Sequence, residues 1–315
     1  MLFWLAGILV ALATPFQTGM NLRLRHKFGS PSVATFISFV ISLGILCVAL
    51  AVTGESFHYP WSELFAKPLW IWLGGIIGVV FLTGNILLLP RIGGVQTVIF
   101  PVFGQISMGL VVDHFGLFHA PETPATWLRI LGALFVVAGV MIVSLAKQTQ
   151  AAAANTPKAA GHWTLWIWRL FAVFQGTLGA IQIAVNGYLG HELASPVKSA
   201  LMSFLTGSAL LIVICLVLAL AGKLHRPTPR SAERDPWWIW LGGLVGAVFI
   251  YVTVILSQTI GTGTTMICIL MGATLGGMIV DYWGLFGTRR QALNAKKVAG
   301  LLLMVAGAAM TKLLV

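Results

Sequence analysis

Long apolar runs separated by short polar connections dominate the chain. Ten runs are about 20 residues long, which is the length an α-helix needs to cross the hydrocarbon core of a bilayer. Backbone groups in lipid must be hydrogen-bonded within their own segment, so continuous runs predict helices, whereas a β-barrel would need alternating segments of about ten residues. The pattern predicts an all-α integral membrane protein with ten transmembrane helices, at 2–22, 32–53, 69–90, 94–117, 127–146, 165–187, 197–221, 237–257, 261–284 and 297–315.

The composition agrees with a membrane protein and argues against several other classes. Of the 315 residues, 58% are hydrophobic and 9% are charged, against about 25% charged in soluble domains. The net charge of +11 lies in clusters between the apolar runs, where Lys and Arg contact lipid phosphate rather than nucleic acid. The chain has no phosphate-binding GxxxxGK[ST] loop, no HExxH motif and no cysteine pair with metal-ligand spacing. We therefore expect no enzyme activity, no metal site and no cofactor.

One unit occurs twice along the chain. Residues 68–118 and 236–286 align without gaps and match at 22 of 51 positions. This repeat predicts two units of five helices, 1–146 and 165–315, joined by a polar, Ala-rich linker at 147–164. Because five is odd, the second unit must start on the side of the membrane where the first one ends. The sequence thus predicts two antiparallel copies, an inverted-topology repeat.

The distribution of basic residues predicts the orientation of these copies. The connections on one side of the membrane carry 15 Lys and Arg residues, Lys297 among them, and those on the other side carry four, including Arg129. Basic connections stay in the cytoplasm. We therefore expect a multi-pass membrane protein with both termini outside.

Three motifs together resemble the YdcZ-type family of the drug/metabolite transporter (DMT) superfamily. They are N-x-x-L followed by G-S-P after the first helix (Asn21, Leu24, 29–31), W-x-W-L-G-G at the start of the third, and V-D-H-F-G-L-F at the end of the fourth. Members are often single five-helix units, and this chain is similar to a fused form with both units. The resemblance implies an inner-membrane exporter and leaves its substrate open. In the second unit Ala194 replaces Gly29.

Amide side chains recur on the first helix of each unit. Gln17 and Asn21 share one helix face, and Gln182 and Asn186 repeat the pair at a shift of 165 residues. In an inverted repeat the four amides would point toward a cavity near the membrane midplane. They could bind a substrate or hold packed helices together, and the sequence leaves both interpretations open.

Two further amides are candidates for substrate binding. Asn85 lies on the third predicted helix and Gln105 on the fourth, and neither has an amide counterpart in the second unit. They would therefore make the site asymmetric. Pro15, Pro90 and Pro101 lie near these polar groups and favour kinks.

Two acidic residues lie near the ends of apolar runs, at equivalent positions of the two copies. Asp113 and Asp281 could act as gates or proton sites at opposite faces of the membrane. Alternatively, each bonds the turn that follows it and reaches water.

The middle third of every predicted helix lacks charged residues. A desolvated ion needs a partner, so we expect small neutral or weakly polar substrates. The predicted function is secondary transport by alternating access within a monomer, and export is the direction that the resemblance implies. A passive channel or lipid scramblase and a non-transporting membrane interaction protein are the alternatives.

Overall fold

The structure, a computed structural model, describes residues 2–56, 58–59, 61–151, 162–222, 236–287 and 290–313. Within these ranges the chain is helical, with short 3-10 turns and no strand. The helices are α1 (Leu2–Leu12), α2 (Thr14–Phe28), α3 (Pro31–Val52), α4 (Trp61–Phe65), α5 (Leu73–Phe115), α6 (Trp127–Ala151), α7 (His162–Glu192), α8 (Pro196–Leu220), α9 (Gly242–Ile260), α10 (Thr262–Trp283) and α11 (Ala295–Leu313).

Eight helices among the described residues are long and apolar enough to cross a membrane. The chain is therefore an all-α, multi-pass membrane protein, as predicted. The predicted spans at 69–90 and 297–315 are not among the eight. The first appears as a shorter apolar helix, Leu69–Phe81, and α11, which covers the second, carries lysines at both ends. The number ten stays a prediction, and most of the predicted linker, 152–161, lies outside the described residues.

The sequence predicts the third and fourth spans as separate helices, but most of both lies within one helix, α5. This helix is not straight. Phe81 and Gln105 are 24 positions apart, about 36 Å along a straight helix. A β-carbon placed on Gly179 of α7 would nevertheless lie 3.2 Å from Phe81 and 3.4 Å from Gln105. The two ends of α5 therefore fold back side by side along α7, as two separate spans would.

The first predicted helix is broken at Ala13 and continues to Phe28 rather than to residue 22. Pro15 has no N–H to donate, so it leaves the carbonyl of Ala11 without its helical partner. The hydroxyl of Thr14 donates to that carbonyl at 2.8 Å. The break therefore occurs at Pro15, where the sequence favours a kink, with the freed carbonyl bonded locally.

The turn that follows has a left-handed residue at the same place in both repeats, although the residue itself differs. Gly29 has φ of +68° and Ala194 has φ of +48°. The amide of Gly29 donates to Arg25 and that of Ala194 to His191. The left-handed conformation costs a non-glycine residue about 1–2 kcal/mol, so the second repeat keeps this turn under mild strain.

Corresponding helices of the two repeats contact each other, through glycines in one case and through aromatic rings in another. At the last helices, a β-carbon on Gly139 of α6 would lie 2.5 Å from the carbonyl oxygen of Gly300 of α11, and one on Gly300 would lie 2.8 Å from that of Gly139. At the second helices, Phe39 of α3 and Phe204 of α8 meet edge to face at 4.9 Å. Glycine contacts of this kind allow helix backbones to approach closely in a membrane.

Candidate functional site

The amide face of the first repeat packs against glycines of the second. A β-carbon on Gly246 would lie 2.7 Å from Nε2 of Gln17, and one on Gly242 would lie 2.6 Å from Oδ1 of Asn21. Both glycines belong to α9. Only glycine lets the amides of α2 come this close to the neighbouring helix backbone.

The second repeat makes the same contacts with the first. A β-carbon on Gly78 of α5 would lie 2.6 Å from Nε2 of Gln182, and Asn186 contacts the corresponding position on Gly74. Gly74 and Gly78 are the repeat counterparts of Gly242 and Gly246. The first helix of each repeat therefore packs on the third helix of the other repeat.

The asparagines are tied to the second helix of their own repeat. Ser38 of α3 donates to Oδ1 of Asn21 at 2.6 Å. Asn186 donates through Nδ2 to Oγ of Ser203 of α8 at 3.3 Å. Each pair spans 17 positions of sequence, so the same residues are paired in both repeats, with the donor and the acceptor exchanged.

The glutamines differ from the asparagines. Within the described residues, the side chains of Gln17 and Gln182 form no hydrogen bond, and both are half-buried. Their amides therefore keep donors and an acceptor available for another molecule, in the region where the two repeats meet.

Gln105 lies beside α7, one turn from Gln182. Its Nε2 is 3.4 Å from the β-carbon position of Gly179, one turn before Gln182 on the same helix face. Asn85 lies within α5, and its side chain is outside the described part of the structure. Within that part, no hydrogen bond joins the predicted amides to one another.

Gln175 is a buried amide that the sequence analysis missed. It is fully buried on α7 and donates to the carbonyl of Phe81 at 2.8 Å. A β-carbon on Gly84 would lie 2.8 Å from its side-chain carbonyl oxygen. The available signal was a glutamine inside an apolar run, two turns before Gln182.

Asp113 does not reach water, which corrects one of the two sequence expectations. Its carboxylate is 0% exposed and contacts the guanidinium of Arg129 at 3.0 Å. It also accepts from the first amides of α10, from Thr262 at 2.7 Å and from Gly263 at 3.0 Å. Asp113 thus fastens its own repeat to the amino end of a helix in the other repeat, where negative charge is favoured. We call these contacts of Asp113 with Arg129, Thr262 and Gly263 the Asp113 latch.

The basic residue of the Asp113 latch lies in a predicted connection between helices and is nevertheless buried. Arg129 is 2% exposed, and its guanidinium also donates to the carbonyl of Thr123 at 2.8 Å. Its repeat counterpart Lys297 is 1% exposed and donates to Gln291 at 3.1 Å and to Ala292 at 3.2 Å. Both side chains therefore bond protein groups rather than lipid phosphate, and the side of the membrane on which each connection lies stays a prediction.

Asp281 occupies the equivalent place in the second repeat. Its backbone carbonyl accepts from Gln291 at 2.9 Å, as that of Asp113 accepts from Thr123 at 2.8 Å. Its side chain is only half-buried. The two predicted acidic positions therefore share a backbone frame but differ in burial.

Two groups outside the membrane spans have shifted pKa values. Burial raises the pKa of Tyr59 to about 12. The hydrogen bond and ion pair with Glu192, at 2.7 Å, raise the pKa of Lys67. Both groups keep their neutral-pH protonation states, and the ion pair joins the connection before α5 to the end of α7.

Two apolar clefts open on the helical surface. One has a volume of about 390 Å³ and is lined by Ala6, Leu9, Val10, Ala13, Leu244, Val245 and Val248. The other, of about 260 Å³, is lined by Ile45, Leu46, Ala49, Thr53, Val197, Ala247, Val248 and Tyr251. Among the described residues, no group of three His, Cys, Asp or Glu could hold a metal ion.

Comparison with known proteins gives the family. Residues 2–142 and 167–310 each match the family described as "Putative inner membrane exporter, YdcZ". The inner membrane protein YdcZ of Escherichia coli (strain K12) is 29% identical over 72 residues, which are 23% of this chain and 48% of that protein. The match thus spans about half the length of this curated relative.

A crystal structure of a protein aligns with a TM-score of 0.68 at 15% identity, covering 99% of this chain and 96% of its own. This likeness shows a shared fold alone. The family matches cover most of the chain, and the apolar helices agree with them. The chain therefore belongs to the YdcZ family, a DMT-like family.

Proposed function

We propose that the chain is a secondary transporter that exports small neutral or weakly polar molecules by alternating access between two inverted five-helix repeats. The repeats are residues 1–146 and 165–315, and a single polypeptide is the working unit. In this proposal the substrate pathway follows the surface where the amide faces of α2 and α7 meet the opposite repeat.

Reciprocal packing carries the proposal. Gln17 lies against Gly246, and Gln182 lies against Gly78, so each contact is the counterpart of the other. In each contact a glutamine of one repeat lies against a glycine of the other, as expected for two copies related by a two-fold axis between them. Such copies can rock about a shared central site, and the available amides of both glutamines lie along that surface.

The charge pattern supports an uncharged substrate. Asp113 and Arg129 neutralise each other in a fully buried pair. A charged substrate that left water would need an opposite charge close by, and this pair is already engaged. An uncharged molecule needs only hydrogen-bonding groups, which the glutamines offer.

The amides then divide into two roles. We assign substrate contacts to Gln17 and Gln182, with Gln105 and Asn85 as additional asymmetric contacts. Asn21 and Asn186 hold the first helix to the second through their serine partners.

Asp113 and Asp281 act as gate residues at opposite ends of the pathway in this proposal. Release of the Asp113 latch would free the amino end of α10.

The test is counterflow in proteoliposomes, with uncharged solutes selected by thermal stabilisation of the purified protein. We expect saturable counterflow that falls about tenfold in Gln17→Ala and in Gln182→Ala, because each variant loses a hydrogen bond to the substrate. A tenfold loss corresponds to about 1.4 kcal/mol of binding free energy. Folded yield should stay unchanged. Gly44→Ala is the control, because a β-carbon on Gly44 meets nothing within 4 Å.

A second variant displaces one amide without removing it. In Gly78→Ala the new methyl group meets the flexible end of Gln182, so we expect the fold to survive and flux to fall. Equal losses of flux and folded yield in the glutamine variants would instead assign these residues to packing. Flow that does not saturate would indicate a passive channel, and no flow with any solute would favour an interaction protein.

A further inference from the structure

We propose that the cleft between α1 and α9 is a lateral entrance, through which an uncharged single-chain amphiphile passes from the bilayer to Gln17. The proposal rests on the substrate role given to Gln17 above, and it adds the class of substrate and its route. The alkyl chain would lie in the cleft, and the polar head would bond the amide.

The cleft faces the surrounding lipid and is apolar throughout. Its volume is about 390 Å³, and none of its lining side chains is charged or polar. Three residues form its rim and are open on the lipid side: Leu9 is 66% exposed, Leu244 41% and Val248 42%. An alkyl chain can therefore enter without leaving an apolar environment.

An available polar group lies one turn beyond the residues that line the cleft. Ala13 lines the cleft, and Gln17 lies one turn further on, with its backbone amide donating to the carbonyl of Ala13 at 3.1 Å. On the other wall, Val245 precedes Gly246, whose β-carbon position is 2.7 Å from Nε2 of Gln17. Because Gln17 makes no side-chain hydrogen bond within the described residues, it can bond the head of a molecule in the cleft.

The corresponding interface of the other repeat carries larger side chains. At a shift of 165 residues, Ala6 corresponds to Phe171 and Ala13 to Leu178. Val10 corresponds to Gln175, which is buried and bonded to the carbonyl of Phe81. Small residues at Ala6 of α1 and at Ala13, where the helix breaks, therefore leave room that Phe171 and Leu178 occupy at the equivalent positions of the other repeat.

The lining determines the chemistry of the occupant. An apolar wall without charged residues favours an alkyl chain and excludes a desolvated ion. One amide at the inner end favours an uncharged head that can donate and accept a hydrogen bond, such as an alcohol or an amide. An ordinary phospholipid has two chains and a charged headgroup, so the head would not follow its chain inward.

Photolabelling of the full chain in proteoliposomes tests the entrance directly. The probe is dodecanol carrying a diazirine, and a diazirine-labelled phosphatidylcholine reports ordinary lipid contact. We expect dodecanol to label the peptides of α1 and α9 more strongly than that of α7, in a way that excess unlabelled dodecanol suppresses. Gln17→Ala should lower this labelling roughly fivefold, as expected for one hydrogen bond lost in a membrane.

Two further variants close the cleft with the residues of the other repeat. Ala13→Leu and Ala6→Phe should each reduce dodecanol labelling of α9, and either one suffices if the other fails to fold. Val40→Phe, at an exposed position of α3 outside the cleft, should change nothing. Labelling that is equal for both probes and unaffected by Gln17→Ala would mean that ordinary lipid fills the cleft, and would overturn the proposal.

The outcomes separate the entrance from the transport function. If Ala13→Leu leaves labelling unchanged while Gln17→Ala abolishes counterflow, the entrance is wrong and the transport role of Gln17 stands. If labelling responds as expected while Gln17→Ala leaves counterflow intact, the entrance stands and the transport role of Gln17 is wrong.

Discussion

The first helices of the two repeats occupy equivalent places but differ in how they are packed. The first repeat uses two segments, α1 and α2, broken at Ala13, and leaves an apolar cleft beside α9. The second uses one unbroken helix, α7, with the buried Gln175 bonded to α5. Both nevertheless present a glutamine and an asparagine to glycines of the other repeat. The shared amide face therefore fits a common function in both repeats. The different packing before it, a cleft beside α1 and a buried Gln175 on α7, fits a substrate that enters beside one repeat only.

The same contrast holds at the two acidic positions. Asp113 is completely buried and fixes α10 to the first repeat, whereas Asp281 is half-buried. The basic residues at equivalent positions differ in type: Arg129 contacts the Asp113 carboxylate, and its counterpart Lys297 donates to Gln291 and Ala292. An arginine offers several donors in a fixed plane, which suits a carboxylate that is cut off from water.

The largest expected effect comes from breaking the buried latch. Asp113→Ala leaves Arg129 buried without its carboxylate, and loss of one partner of such a pair costs about 3–5 kcal/mol. Asp281→Ala should cost less, because its side chain is only half-buried. Thermal unfolding in detergent measures both. Adding Arg129→Met to Asp113→Ala should restore part of the lost stability. Equal losses of stability in Asp113→Ala and Asp281→Ala would contradict the difference between the two acidic positions.

A second comparison tests where the repeats are alike. Gly75→Ala drives a methyl group into the backbone of Ser203, and Gly243→Ala drives one against the backbone carbonyl of Ser38, at 2.7 Å. Overpacking of this kind costs about 1–3 kcal/mol, so folded yield should fall in both. Gly44→Ala serves as the control and should be neutral or stabilising. A loss in one repeat alone would contradict the reciprocal packing.

The smallest effect concerns the flanks of the first helices. Gln175→Ala removes a buried hydrogen bond, which in membrane proteins contributes about 0.6–1.7 kcal/mol. Its counterpart change, Val10→Ala, only enlarges a cleft that is already open, so the unfolding midpoint should move less. If Val10→Ala lowered the unfolding midpoint as much as Gln175→Ala, α1 and the equivalent part of α7 would be packed equally well, which would contradict the comparison.

Much of the fold follows from local sequence because the length of an apolar run decides whether a helix can span the bilayer. The break near Pro15 is also local, since proline lacks an N–H. The course of α5 could not be predicted in this way. Its residues Phe81 and Gln105 both approach Gly179 of α7, and such tertiary contacts cannot be read from the apolar run alone.

The site was predictable in its residues but not in their roles. The repeat identifies Gln17, Asn21 and their counterparts, yet only the positions of Ser38 and Ser203 separate the bonded asparagines from the available glutamines. Arg129 lies in a predicted connection, and a count of basic residues in each connection cannot show that its side chain is buried.

Opposed repeats are the central claim, and their orientation is directly measurable. Pro124 and Ala292 are repeat counterparts in exposed connections. Cysteines at these positions, in a chain whose Cys47, Cys215 and Cys268 are replaced by serine, can be labelled with a membrane-impermeant maleimide in intact cells. We predict that Pro124→Cys reacts from outside and that Ala292→Cys reacts only after the cytoplasmic membrane is permeabilised. Reaction of both cysteines from the same side would contradict the inverted arrangement and the amide-lined pathway that depends on it.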